Sequence, residues 1–438
     1  MRDNNDGPSH ASGDRFTDKA SRPLVIASIL REEGITGVHT HIRQLRQYLE
    51  GCGISTRLVT PFSWGRVLTY AVFGIRPLVL ERLSGSASVF WYRYWHEAFL
   101  RNALRRCLAQ IGDCVVYAQG PVEARAALRA RRGAHQRVVM VVHFQTSQAD
   151  EWTHKNDIKR DGRLFRAIRQ FEREVILHLD GLMYVSKSAQ NGILSWLPEA
   201  AAVSSAIIGN FVAPLPVEPG QEPLGDLVST GNLTIAKNHR FLLEVLAEAK
   251  RGGRSLTLDV FGEGVCEKDL FRQARSLGLE KQVRLHGFRP EVRQFLPRYR
   301  AYVHASYVDA QPLAIIEAMA AGLPIVAGDI GGISEICDDG VEARFWPLDD
   351  PAKAAAMLTD LLDSEPARLK AARAASERFH RQFDASVVGP QLRSFLFGDR
   401  PPAPAGAAHP GSQGQHRTRQ RQGGTAEKHR GPRADEGS

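Results

Sequence analysis

The stretch DAQPLAIIEAMAAGLPIVAGDIGGISEI, from Asp309 to Ile336, sets two carboxylates, Asp309 and Glu317, on either side of Pro312. Proline suits the first turn of a helix, where its missing N–H costs nothing. The pattern predicts a helix from Leu313 to about Ala321, stopped by Gly322. Around Pro312, Leu313 and Ala314 its N-terminus presents free backbone N–H groups and the positive end of the helix dipole, a ready seat for a diphosphate. Carboxylates do not bind phosphate, but they accept hydrogen bonds from hydroxyls. Asp309 before the helix and Glu317 inside it suit polyols on both sides of that seat, a sugar and a ribose. In isolation the pair fits equally well an N-capping Asp and a solvated Glu.

Other loops shift that balance. STGNLTIAKNH (Ser229–His239) brings Gly231, Asn232 and a cation, Lys237, to neutralise phosphate. VFGEG (Val260–Gly264) adds Gly262 at another strand end, and HGF (His286–Phe288) and AGDIGGISE add more glycines. Glycine lets backbone approach a ligand closely. Nearer the start, REEGITG places Gly34 and Gly37 just before a helix, and VVHFQ ends a strand on His143. His143 alone reads as readily as a structural hydrogen-bonder as a functional group. The segment HFQTSQADEW offers Asp150, Glu151 and Trp152 for stacking and hydrogen bonding to a sugar. His39 and His41 lie two apart on a helix, so they do not share a face and make no metal pair.

The elements that position these residues alternate in period. PLVIASIL is a continuous apolar run, as in a strand buried on both faces of a parallel sheet. The following helix puts Val38, Ile42, Leu45 and Leu49 on one face. DCVVYAQGP, RVVMVVHFQTS and DGLMYVSKSA repeat the strand-then-helix pattern. Pro214–Pro223 carries four prolines and reads as a linker. The alternation then restarts with LGDLVSTGNL, SLTLDVFGEG, QVRLHGF, AYVHASY and LPIVAGD. The fold class is therefore α/β, with two Rossmann-like domains facing each other across a cleft. The expected boundaries are 22–212 and 224–382, flanked by disordered ends at 1–21 and 399–438.

Composition bounds the reading. A chain of 438 residues with 43% hydrophobic and 24% charged residues is a soluble, two-domain type. No apolar run reaches membrane-spanning length, and the first residues lack a secretory h-region. The five cysteines form no CxxC and read as buried free thiols. The net charge of +9 is partly terminal, since the last 40 residues hold six Arg and one Lys against two Asp and two Glu. No nucleic-acid module is present. The expected localisation is cytoplasmic.

The ordered set STGNLTIAKNH, VFGEG, HGF and DAQPLAIIEAMAAGLPIVAGDIGGISE resembles the GT4 family of retaining glycosyltransferases, which has the GT-B fold. The resemblance covers roughly Pro23 to Phe397 and is strongest from Val228 to Trp346. The family's E-x7-E signature falls on Asp309 and Glu317, so Asp309 would contact the donor sugar and Glu317 the ribose. The basic pair falls on Asn232 and Lys237. Two positions depart from the pattern: Asp309 replaces a Glu, and Asn232 stands where Arg is common, leaving more of the diphosphate to Lys237. By the same resemblance Gly34 and Gly37 form the acceptor or phosphate loop, and His143 lies near the donor sugar. The chain from about 383 to 397 would cross back onto the first domain. No metal or other cofactor is expected; Lys237 and the N–H groups near Pro312–Ala314 would stabilise the leaving nucleoside diphosphate.

On the acceptor side, Trp64–Leu83 and Phe90–Leu108 mix aromatics with arginines. Such a surface suits an anionic membrane leaflet on its inner face and a lipid-linked acceptor; a buried helix pair fits the same pattern. The expected activity is transfer of a sugar from a nucleotide-diphosphate sugar to a glycan, lipid-linked or small-molecule acceptor. Polysaccharide, glycolipid or cell-envelope glycan synthesis is the setting expected. Glycosylation of a soluble secondary metabolite, a nucleotide-sugar 2-epimerase and a non-catalytic subunit of the same fold are the alternatives.

Overall fold

The computed structural model describes residues 22–398 apart from 33, 35, 77–79, 81–83, 155–156 and 217–221. The expectations for the two ends, and part of the proline-rich linker, lie outside the described residues.

Two six-stranded parallel sheets organise the chain. The first comprises β1 (Leu24–Ala27), β2 (Thr56–Val59), β3 (Cys114–Ala118), β4 (Gln136–Val142), β5 (Gly181–Tyr184) and β6 (Ser205–Ile207), in the order β2-β1-β3-β4-β5-β6. The second comprises β7 (Gly225–Thr230), β8 (Leu258–Phe261), β9 (Val283–Leu285), β10 (Tyr299–His304), β11 (Ile325–Ala327) and β12 (Ala343–Phe345), in the order β12-β11-β10-β7-β8-β9. In each, the strand order reverses beside the first strand, the topological switch where doubly wound sheets bind ligands.

The central strands are apolar throughout because helices cover both faces. Every residue of β1, β3 and β5 is buried. The helix Gly37–Gly51 turns Ile42, Leu45 and Leu49 into the first core, as their spacing predicts, and buries His41 and Gln44 as well. Of the cysteines, Cys107, Cys114 and Cys337 are buried, whereas Cys52 is exposed and Cys266 intermediate, against the expectation of uniformly buried thiols. Both sit at helix ends, where backbone turns to solvent.

The last helix, Ala385–Phe397, returns to the first half of the chain. Val388, Leu392 and Leu396 join the first core, and Arg137 in β4 donates to the carbonyls of Phe395 and Leu396 at 2.7 and 2.8 Å. Among the described residues no helix is long and apolar enough to cross a membrane.

The halves also meet at the C-terminal ends of their strands. Glu335 accepts hydrogen bonds from the N–H groups of Lys187 and Ser188, at 2.6 Å each, and so caps the helix Lys187–Leu194 of the first half. Asn210 Nδ2 donates to the Gln311 carbonyl at 2.9 Å, and Gln145 Nε2 to the Asp309 carbonyl at 3.3 Å. These contacts roof the cleft.

Candidate active site

A cavity of about 270 Å³ lies in this cleft. Its second-half wall comes from the loops after β7, β8 and β9 and from the helix Leu313–Ala320; Gly37, Thr40, Arg43 and Gln44 close it from the first half. Of the residues singled out in the sequence, Gly37, Gly231, Asn232, Gly262, Leu313, Ala314 and Glu317 share its lining. Gly262 shows why glycine is needed: at φ +153° its α-carbon faces the Gly231 carbonyl so closely that a Cβ would collide with it. Gly34 lines a neighbouring groove with Arg43, Arg46 and Phe288.

Pro312 is the N-cap of the Leu313–Ala320 helix, with φ −70° and ψ 115°. This corrects the capping alternative for Asp309, whose side chain is engaged elsewhere. Lys237 Nζ reaches Asp309 Oδ2 at 2.5 Å, and His304 Nε2 lies 3.2 Å from the same oxygen. Burial works to raise the Asp309 pKa, but Lys237 and His304 outweigh it and hold the carboxyl well below the usual carboxylate range. Lys237 and Asp309 thus form an ion pair. The Asp309 backbone is fixed too, since its carbonyl accepts from the N–H of Gly332 at 3.1 Å.

Glu317 has the opposite electrostatics. Burial pushes its pKa up, against the pull of Arg293 and Arg43. Arg293 Nε stands 3.7 Å from Glu317 Oε1. Arg43 and Arg293, together with Arg289, make the cavity cationic without any help from Asn232.

His143 lies outside the cavity lining. Its Nε2 is 3.0 Å from Gln119 Oε1, and its ring meets His41 edge-on at 4.8 Å. Burial and the neighbouring His41 hold its pKa well below the ordinary value. His41 is itself buried, 3.0 Å from Asn210 Oδ1 and 3.1 Å from the Tyr117 hydroxyl. A hydrogen-bonded path therefore runs from Gln311, beside the donor-helix N-terminus, through Asn210 to the floor of the first sheet.

Asp150 is a correction. It accepts from Ser147 Oγ at 2.6 Å and is paired with Arg169 at 2.7 Å and Arg160 at 3.3 Å, so it faces into the first half rather than toward a sugar. The sequence reading missed Arg43, Arg289, Arg293 and His304. His304 carried a signal, as the polar residue ending the apolar strand AYVH; the arginines carried none, being three of many.

Residues 219–378 match the family described as Glycosyl transferases group 1. The chain is 28% identical over 252 residues to a glycogen synthase of Mycobacterium tuberculosis, which covers 56% of this chain and 61% of that protein. It thus spans only about three fifths of that relative. Among solved structures, sucrose-phosphate synthase of Thermosynechococcus elongatus superposes with a TM-score of 0.66 at 16% identity, over 85% of this chain and 97% of that one. Anabaena HepE in complex with UDP and glucose gives 0.63 at 16% identity, over 86% and 99%. The fold is GT-B. Residues 219–378 carry the likeness to the glycosyl transferases group 1 family.

Proposed function

We propose that the protein transfers a sugar from a nucleotide-diphosphate sugar to an acceptor hydroxyl, with retention of configuration and without a metal, in glycan biosynthesis. The observation that carries this is the Leu313–Ala320 helix: Leu313, Ala314 and Glu317 line the cavity, while Asp309, paired with Lys237, stands shortly before the helix and outside that lining. In this reading the diphosphate lies on the N–H groups of Leu313 and Ala314 and draws Lys237 away from Asp309. Asp309 is then free to accept from a sugar hydroxyl. As the glycosidic bond breaks, charge builds on the leaving diphosphate, where Lys237 and the helix end already point. The complex of HepE with UDP and glucose lends the ligand class by likeness of fold.

The test is thermal stability against UDP, GDP, ADP and dTDP in EDTA, followed by nucleotide release from the matching sugar donors. Ligand at ~100 times its dissociation constant adds about 2.7 kcal/mol. One nucleotide is expected to stabilise the protein and to be released from its sugar in the presence of acceptor. Donor isomerised in place, with no net release of nucleotide, marks an epimerase; no stabilisation by any nucleotide marks a non-catalytic subunit.

A membrane-bound setting is part of the proposal. On the helices Arg66–Ile75 and Gly85–Gln110, Leu68, Tyr70, Ile75, Phe90 and Tyr94 are exposed, Phe90 at 61%. Arg31 stacks over Phe62 and Tyr70 beside them. An apolar face edged by cations suits the boundary of an anionic leaflet. Sedimentation with phosphatidylglycerol vesicles but not with phosphatidylcholine ones, lost in Leu68→Ser/Phe90→Ser, is the expected result. Equal recovery of wild type and variant sinks this part.

A further inference from the structure

Glu317 is served by a chain of contacts that begins in the other half of the molecule. Gln44, on the Gly37–Gly51 helix, accepts through Oε1 from the N–H of Ala213 at 2.9 Å. Ala213 lies in the segment joining the two sheets. Its carbonyl accepts from Arg293 Nη2 at 2.6 Å. The same guanidinium turns Nε toward Glu317 Oε1, and that Nε is buried with no hydrogen-bond partner among the described residues. One arm of Arg293 is therefore tied to the linker and the other is held ready beside the carboxylate.

We propose that Arg293 is a positioning residue for donor binding: anchored on the linker at Ala213, it keeps Glu317 ionised and aimed at the ribose diol, so that this end of the site is complete only when the linker is seated. The inference rests on the donor-site reading above, through Glu317. A ribose 2′,3′-diol presents two O–H donors, and an ionised carboxylate receives both where a neutral acid carries a competing proton. The groups facing Glu317 come from three directions: Arg293, Arg43 on the Gly37–Gly51 helix, and Tyr302 on β10. Tyr302 is fully buried, and burial pushes its pKa up, so it stays neutral. Arg43 is exposed, where water screens its charge. Arg293 is the less exposed of the two cations, with its Nε buried, and its loss leaves desolvation of Glu317 largely unopposed.

The experiment is calorimetric titration of the full chain with UDP, GDP, ADP and dTDP from about pH 6 to about pH 8.5, spanning the range into which a desolvated carboxyl rises. For whichever nucleotide binds, the wild-type profile should follow only the second ionisation of the terminal phosphate, at about pH 6. Arg293→Ala should bind about tenfold more weakly at the alkaline end and lose more affinity than wild type does as the pH falls and Glu317 takes up its proton. Arg293→Lys, which keeps a cation, should recover most of the affinity and the wild-type profile. Glu317→Gln should be weak at every pH, and adding Arg293→Ala to it should cost little more. An Arg293→Ala profile parallel to wild type, or a loss that adds fully to that of Glu317→Gln, overturns the inference while the donor reading stands. If wild type binds none of the four, the donor reading fails and this inference with it.

Discussion

The two carboxylates of one short motif stand one before and one within the same helix and live in opposite environments. Asp309 draws its partners from within the second half: Lys237 before the helix His239–Arg251, and His304 at the end of β10. Those partners, Lys237 by charge and His304 by hydrogen bond, hold its pKa far down despite burial. Glu317 is buried against Arg293 and, across the cleft, Arg43, and its pKa is pushed up. One end is thus assembled within the second half, and the other needs the first half and the linker to be in place. The lesson is that the spacing of two acids fixes where they stand, while their charge state is set by residues remote in sequence.

Removing Lys237 should break the first end most severely. Lys237→Ala deletes the cation paired with Asp309, and in the proposed reading loss of a single preorganised donor of this kind costs about 10²–10³ in turnover. It also leaves Asp309 as a buried, half-paired anion, which costs about 3 kcal/mol of stability. Denaturant melts of Lys237→Ala and of Lys237→Ala/Asp309→Asn separate the two effects. The double variant should regain stability and stay inactive. Recovery of turnover in the double variant would show that Lys237 serves only to neutralise Asp309.

The pH dependence of stability should differ in sign between the two acids. Asp309 has a folded pKa depressed below its unfolded value, so its contribution is full above the unfolded value and is lost as the pH falls through the folded one. Wild type should therefore lose about 2 kcal/mol more than Asp309→Asn on acidification below about pH 4. Glu317 has a folded pKa raised above its unfolded value, so its ionised form subtracts from stability at neutral pH, and that loss is relieved as the pH falls. Glu317→Gln should hence melt about 2 °C higher than wild type at pH 7 while binding nucleoside diphosphate about tenfold more weakly. Melting curves over pH, run beside titrations, check both; a Glu317→Gln protein that melts lower would mean that Arg293 more than offsets the desolvation.

How much of this was legible in the sequence follows from the range of each interaction. The strands declared themselves as apolar runs, because burial on both faces leaves no room for polar residues. The donor helix declared itself through Pro312 and Gly322, whose backbone limits act locally. Gly231, Asn232 and Gly262 reach the cavity from just past strand ends, and Leu313, Ala314 and Glu317 from the helix that follows β10, positions that the β/α alternation sets. The pairing of Lys237 with Asp309, 72 residues apart, follows from that placement but could not be read from either segment alone. Arg293 was invisible. Its role depends on Ala213, Gln44 and Glu317, and in RPEVRQF it looks like one more surface arginine. Asp150 misled because a carboxylate beside an aromatic residue fits a sugar site, and only the fold reveals Arg169 folded back onto it.

The smallest expected effect concerns Asn232, which lines the cavity next to Gly231 where the resemblance expects Arg. If the diphosphate end is short of one cation, Asn232→Arg should tighten nucleoside diphosphate binding severalfold, on the order of 1 kcal/mol. The gain should fade with added salt, because the side chain opens on a solvated cleft. The alternative is that Arg43 and Arg289, already on the cavity wall, supply the missing charge. A further guanidinium would then meet like charges, and Asn232→Arg should leave affinity unchanged or lower it, while Arg43→Ala in the wild-type background weakens binding. Comparing Asn232→Arg, Arg43→Ala and their combination at low and high salt decides between them. If Asn232→Arg restores what Arg43→Ala removes, the cation has moved from the second half to the first, and diphosphate binding depends on the two halves meeting across the cleft.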